Sequence, residues 1–491
     1  MVDTSTLESM SFSNPNETLY SSFYYDGMVS DGIGYFFNKV RFLFYLATPW
    51  ETMYPRLDMV PRYVVEMFPF FVIMSVLENA VRLFTGKGIL RTNDSIASLS
   101  SGIFQECLRI KVRSIEIIVY CFIHERFRLM TLPWDSVWTW YICFIAIDLG
   151  FYWAHRIAHE IAFIWAIHQN HHSGEDFTLV AALRQAVLQP FTAWFTYVPL
   201  ALFIPPPIFL AHLQLGELFM FWVHTEVIGK LGPLEYILNT PSHHRVHHAR
   251  NPKYIDKNYA GVLIIWDRIF GTFQEEDEKE PVAYGLVHPV ESYNPFYVQF
   301  HSWYFMFKKM GEMKSFKHKI MVPFMGPGWE PGKPRLGLIS DLPEIKHPVK
   351  YWDPQIPLLQ KIYVIAHFGL VLLFYNELNL RKHSLTQFTI TCGIISLLTS
   401  ITTVGFLLEG RWFASFLELA RCLAFLAAER YLLPIAAPLE HFGIYRETVL
   451  TGIRTAFKAS AMLWAIVAAH VIAKRFLYKR IRSIAKFIKV Q

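Results

Sequence analysis

HRIAHEIAFIWAIHQNHH, residues 155–172, decides how this chain is read, together with a distant partner, HRVHH at residues 244–248. The two strings carry eight histidines in three groups: His155 and His159; His168, His171 and His172; His244, His247 and His248. Residues three or four apart share a helix face, so each group can aim two or three imidazoles at one point. Neutral imidazole ligates iron, copper, nickel and zinc, and eight donors exceed what one tetrahedral zinc uses. Two metal ions are the natural reading. Taken singly, any of these histidines would be read as an ordinary core or surface residue. Against that, eleven of the chain's 20 histidines lie between His155 and His248, most of them in repeated spacings.

Upstream, an apolar run over residues 134–153 leads into His155 without a turn signal, which puts the first pair at a membrane boundary. Asp148 lies seven residues before His155, on roughly the same helix face. It is read either as a hydrogen-bond partner of a ligating imidazole or as a polar cap on an apolar face. Downstream, Pro205, Pro206 and Pro207 break the apolar stretch from 187 to 223 into a hairpin or re-entrant pair. His224 follows that stretch directly and is a candidate ninth ligand. His243 adjoins His244 but points about 100° away on a helix, which makes it a weaker candidate. Beyond the third group come NYAGVLIIWDRIFGTF from residue 258, an acidic run over 275–280 read as a solvated face, and GPGWEPGKPRLG at 326–337.

The composition agrees with a membrane setting: of 491 residues, 53% are hydrophobic, 16% aromatic and 18% charged. A net charge of +6 on this length gives a nucleic-acid role no support. The C-terminal Lys474, Arg475, Lys479, Arg480, Arg482, Lys486 and Lys489 run without an acidic residue, as on the cytosolic side of a last span. Five cysteines without a CxxC pair form no disulfide framework. The expected fold is an all-α polytopic membrane protein with roughly eight to ten embedded segments and a cytosolic-facing histidine cluster. It divides into a polar leader (1–34), a membrane-embedded core with the three boxes (35–272), a polar cytosolic segment (273–360), a helical membrane bundle (361–473) and a basic tail (474–491). Glu418, Arg421 and Glu429 in the bundle are costly in lipid and should face protein.

Zinc hydrolysis of the HExxH kind fails on the letters, because Phe163 stands where the second histidine should follow His159 and Glu160. The Glu-x-x-His pattern of carboxylate-bridged di-iron proteins is missing as well. A histidine-rich dinuclear site at a membrane surface remains, suited to non-haem iron and O2. A membrane metal transporter is the reading from another class, but these histidines follow span ends and no internal repeat is visible.

The boxes and NYAGVLIIWDRIFGTF resemble the fatty acid hydroxylase superfamily of integral-membrane di-iron enzymes. WAIHQNHHSGEDFTLVAALRQ, FWVHTEVIGKLGPLEYILNTPSHHRVHHARN and GPGWEPGKPRLGL are similar to its tetrahydrobiopterin-dependent, ether-lipid-cleaving branch, most strongly over residues 149–338. The resemblance implies that the eight box histidines hold two irons and that Glu160 is functionally required. It also implies tetrahydrobiopterin and O2 as co-substrates, an alkylglycerol or lyso-alkyl-phospholipid as substrate, and an endoplasmic reticulum membrane location. Glu160 would orient an imidazole or handle protons; Glu175, Asp176, Glu226 and Trp266 lie near the boxes without a readable role. A cytochrome b5-driven fatty acyl or sterol hydroxylase or desaturase would share every iron ligand.

Overall fold

The structure is a computed structural model that describes residues 32–88, 90–112, 115–192, 194–436 and 446–488. The expected leader lies almost wholly outside the described residues. Among those residues the chain is helical, with no strand and two isolated bridges, Leu238 to Leu263 and Ala249 to Tyr284. The helices used below are α1 (Phe68–Phe84), α2 (Thr92–Lys111), α3 (Ile115–Phe127), α4 (Val137–Glu160), α5 (Ala162–His172), α6 (Pro206–Trp222), α7 (Pro241–His247), α8 (Pro295–Glu312) and α9 (Phe316–Met321). The C-terminal bundle adds α10 (Leu358–Arg381), α11 (Gln387–Leu408), α12 (Ala414–Ala436) and α13 (Arg446–Ile488). Two compact units result. One takes in the chain up to Gln105, Val112–Val290 and Gln299–Tyr351; the other takes in Glu106–Lys111, Glu291–Val298 and the chain from Trp352 on.

Five described helical stretches are long and apolar enough to cross a membrane: Leu57–Phe84, Val137–Glu160, Leu358–Arg381, Gln387–Leu408 and Thr448–Arg475. The protein is therefore a multi-pass membrane protein. Not every apolar run within the expected eight to ten embedded segments folds as one long helix. Part of the run over 187–204, for example, becomes the four-residue helix Trp194–Tyr197 and a 3-10 turn, Val198–Leu202. The prolines then start α6, with Pro206 and Pro207 in its first turn, where a missing N–H costs nothing.

α6 is the organising helix of the first unit, largely apolar and buried on most of its surface, with Glu217 left exposed. Its Ala211, Leu215, Leu218 and Phe221 pack on Leu43, Tyr63, Met67, Phe70 and Phe71. Ile208 and Phe209 pack on Tyr120, Cys143 and Ile147, and Phe219, Trp222 and Val223 on Val262 and Leu263. Each large side chain so buried contributes about 1.5–3 kcal/mol, which fixes the end of α6 against α4 and the 258–267 loop.

In the second unit, Gly405 of α11 lies so close to another backbone that a Cβ there would sit 2.4 Å from the Tyr293 carbonyl oxygen. The same unit buries an ionic cluster. Arg421 of α12 bonds both Glu418 oxygens, at 2.7 and 2.5 Å, and donates to His367 Nδ1 at 2.9 Å. His367 Nε2 meets Ser460 of α13 at 2.9 Å, and Tyr363 donates to Glu418. As the sequence required, Glu418 and Arg421 face protein, while Glu429 lies 3.4 Å from Arg454. Removing one partner leaves a buried charge uncompensated, so Arg421→Leu is expected to cost about 3–5 kcal/mol. Thermal melting of purified protein would register it, and replacing Glu418 and Arg421 together by leucine and methionine should recover most of the loss.

Candidate metal centre

A continuous helix from His155 to His168 would place them 13 residues and about 20 Å apart, too far to share a metal. The chain breaks instead at Ile161, which has extended backbone (φ −121°, ψ 115°) between α4 and α5. The first amides of α5 have no partner within the helix and are satisfied from elsewhere: Ala162 donates to the Met325 carbonyl at 2.7 Å and Phe163 to that of Pro323 at 2.9 Å. α5 thereby folds back beside α4, and His155 Nε2 lies 3.1 Å from His168 Nε2. α7 approaches from a distant part of the chain, held between the Leu238–Leu263 and Ala249–Tyr284 bridges.

The imidazoles gather into two groups. His155, His159, His168, His172 and His247 form one; His171, His224, His244 and His248 form the other. Within each group the ring nitrogens lie within 4.8 Å of one another, and all nine residues are buried. The boxes do not each aim at one point, as the spacing argument expected. Each i, i+4 pair (155/159, 168/172, 244/248) serves one group, while His171 and His247, three residues along their helices, turn to the other. His224, just past the end of α6, completes the second group, with its Nε2 3.2 Å from His171 Nε2 and 3.0 Å from His244 Nε2. His243 belongs to neither group and stacks edge-on against Phe273.

The donor set fits a pair of metal ions. His155, His171, His224 and His247 donate from Nδ1–H to the carbonyls of Tyr259 (2.9 Å), Arg184 (3.2 Å), Met220 (2.6 Å) and Lys257 (2.9 Å). An Nδ1–H on a neutral ring leaves Nε2 as a bare lone pair. His171 and His224 thus oppose two lone pairs across 3.2 Å, with no proton to share between them. The Nε2 atoms of His159 and His247 are buried without any hydrogen-bond partner. A cation resolves both difficulties, because metal–imidazole bonds of about 2.1 Å meeting near a right angle put neighbouring donors about 3 Å apart. Burial and the crowding of neighbouring imidazoles hold His168, His172, His244, His247 and His248 well below the usual imidazole range, and burial pushes His171 down to about 4. The rings are therefore neutral and ready to ligate at physiological pH.

Around this cluster the chain supplies orientation. The Tyr259 carbonyl that holds His155 belongs to a loop pinned by two buried carboxylates. Asp267 accepts from the amides of Tyr259 and Ala260, both at 2.8 Å. Asp148 accepts from the amides of Val262 (2.7 Å) and Leu263 (3.0 Å) and from the Trp266 indole (2.9 Å). Asp148 is therefore neither a cap toward water nor a partner of His155; it anchors a loop more than a hundred residues away. Only glycine fits at 261, where a Cβ would stand 2.9 Å from Asp148 Oδ1. Arg184, whose carbonyl holds His171, is itself buried on Asp94 at 2.7 Å and on Ser98 and Ser173. The acidic run is more than a solvated face, because Glu276 bonds Arg245 Nε at 2.8 Å and Ser242 at 2.8 Å, fixing α7 from behind.

Glu160 accepts from Arg156 Nε and Arg335 Nη1, each at 2.7 Å, and has no hydrogen bond to an imidazole among the described residues. The carboxylate beside an imidazole is that of Asp256, 3.4 Å from His159 Nδ1, on a residue whose left-handed backbone (φ 58°) the sequence did not reveal. Asp176 pairs with Arg91 at 2.9 Å, Glu175 meets Arg91 at 3.4 Å, and Glu226 pairs with Arg82 at 2.9 Å.

A span that ends in two buried, all-imidazole groups fits a membrane-embedded non-haem di-iron oxygenase, the class that the family match gives. Residues 140–272 match the fatty acid hydroxylase family, and residues 360–442 match the alkylglycerol monooxygenase C-terminal domain. The chain is 48% identical to the alkylglycerol monooxygenase of Homo sapiens over 80% of its own length and 88% of that protein's. Identity to the enzyme of that name in Xenopus tropicalis is 45% over 80% and 87%, and in Danio rerio 44% over 82% and 91%. The chain belongs to the alkylglycerol monooxygenase family. No solved structure matches it.

Proposed function

We propose that this protein is a glyceryl-ether monooxygenase that hydroxylates the ether-bearing carbon of 1-O-alkylglycerols and lyso-alkyl-phospholipids. The observation that carries the proposal is the pairing of two buried imidazole groups with relatives that match four fifths of the chain and are named for this reaction. In this reading His155, His159, His168, His172 and His247 would hold one iron, and His171, His224, His244 and His248 the other. Bound iron supplies the activation of O2. Overall, one oxygen atom would enter the C–H bond beside the ether oxygen and the other would leave as water, the two electrons this requires being supplied by tetrahydrobiopterin as co-substrate. The resulting hemiacetal collapses to a fatty aldehyde and a free glycerol hydroxyl. The chain's own part is to bury nine imidazoles together and to turn four of them, His155, His171, His224 and His247, inward through the carbonyls of Tyr259, Arg184, Met220 and Lys257. Glu160 serves in this scheme by tying the α4–α5 corner to Arg335 of the 326–337 segment. The endoplasmic reticulum membrane, which the family resemblance implies, is the protein's proposed location.

Membranes expressing the chain are expected to release fatty aldehyde from a labelled 1-O-alkylglycerol only when tetrahydrobiopterin is added, and a His171→Ala control should release none. Aldehyde release that ignored the pterin and followed cytochrome b5 would instead favour a b5-driven hydroxylase.

A further inference from the structure

The segment over 273–360 reads as polar, yet within the first unit α8 and α9 show a different face. Phe300, Tyr304 and Phe307 follow at i, i+4 and i+7 along α8 and are 39%, 64% and 56% exposed. On α9 and just after it, Phe316, Ile320 and Phe324 are 77%, 49% and 65% exposed. The opposite faces are packed: Met306, Val322 and Trp329 are buried with Trp303, Met310, Met313, Met321 and Met325 around Ala162. Aromatic side chains in such number gain nothing from water. Five lysines, at 308, 309, 314, 317 and 319, accompany them against one acidic residue, Glu312.

We propose that the α8–α9 hairpin lies in the membrane interface, with its aromatic face inserted below the headgroups and its lysines on an anionic lipid surface. Three observations select lipid as the occupant: the same unit carries two of the candidate spans, an exposed row of phenylalanines flanks Tyr304, whose ring alone among them has the polar tip of interfacial belts, and the basic balance complements anionic headgroups. The hairpin also holds the start of α5 through the Met325 and Pro323 carbonyls. Its seating in the bilayer thus fixes the helix that carries His168, His171 and His172.

The test uses the full chain, with Cys392→Ser to remove the one native cysteine that is not buried, reconstituted in phosphatidylcholine vesicles with or without phosphatidylserine. A nitroxide is attached at Tyr304→Cys, at Phe316→Cys and, as a water-exposed control, at Glu278→Cys. Its collisions with lipid-soluble oxygen and with a water-soluble nickel chelate are compared. Oxygen should win several-fold at 304 and 316, more so with phosphatidylserine, and nickel should win at 278. Adding Lys314→Glu, Lys317→Glu and Lys319→Glu should abolish the phosphatidylserine effect while the rings stay in lipid. Nickel access at 304 and 316 equal to that at 278 would overturn the proposal. Loss of the phosphatidylserine effect alone, in the unaltered chain, would overturn its anionic part.

Discussion

His224→Ala is expected to lose the second iron and to lower ether cleavage by about 100-fold or more, although His224 lies outside all three histidine boxes. Its Nε2 stands 3.2 Å from that of His171 and 3.0 Å from that of His244, and its Nδ1–H is fixed on the Met220 carbonyl. Alanine leaves three donors where four converge. Losing even an outer hydrogen-bond partner of a ligand costs about 10–100-fold in affinity or activity, so losing a donor should cost at least the upper figure. Iron per chain, measured beside activity, separates this from a folding defect: the variant should keep the iron of the His155 group. Full activity with both irons retained would remove His224 from the site.

Asp148→Ala is expected to do its damage at a distance. The carboxylate accepts three hydrogen bonds from Val262, Leu263 and Trp266, and alanine strands all three donors in the interior. With about 1–3 kcal/mol for each buried donor left unsatisfied, the loss of all three should reach about 3–9 kcal/mol. The released loop no longer holds the Tyr259 carbonyl on His155, so the iron of the first group should fall with stability. Thermal melting and iron content together check this. Asp148→Asn, which keeps one acceptor oxygen but brings two N–H donors of its own, should fall between the two. A variant that lost iron yet melted like the parent would place Asp148 at the metal rather than under the loop.

These two residues mark where the sequence was legible and where it was not. The histidine boxes could be read because helix geometry is local: spacings of three and four residues fix which imidazoles share a face. His224 stood out for a related reason, an imidazole directly after an apolar helix. The division of each box between two metals was not legible, since it depends on how α4, α5 and α7 meet, and they meet only because Ile161 breaks the helix against carbonyls some 160 residues on. The orienting shell was hidden for the same reason. Asp148 acts 114 residues downstream, Glu276 acts 31 residues upstream, and neither distance leaves a periodicity to read. The aromatic face of α8 was obscured by the charged residues around it, which lowered the segment to a polar average.

Two metals held by imidazole alone are the centre of the proposed chemistry. The direct test is metal analysis with iron-edge X-ray absorption on purified protein, with His155→Ala and His171→Ala as single variants. Two irons per chain in nitrogen-dominated shells, with each variant losing a different one, is the predicted result. One iron per chain, or both irons lost together from only one of the variants, would contradict it.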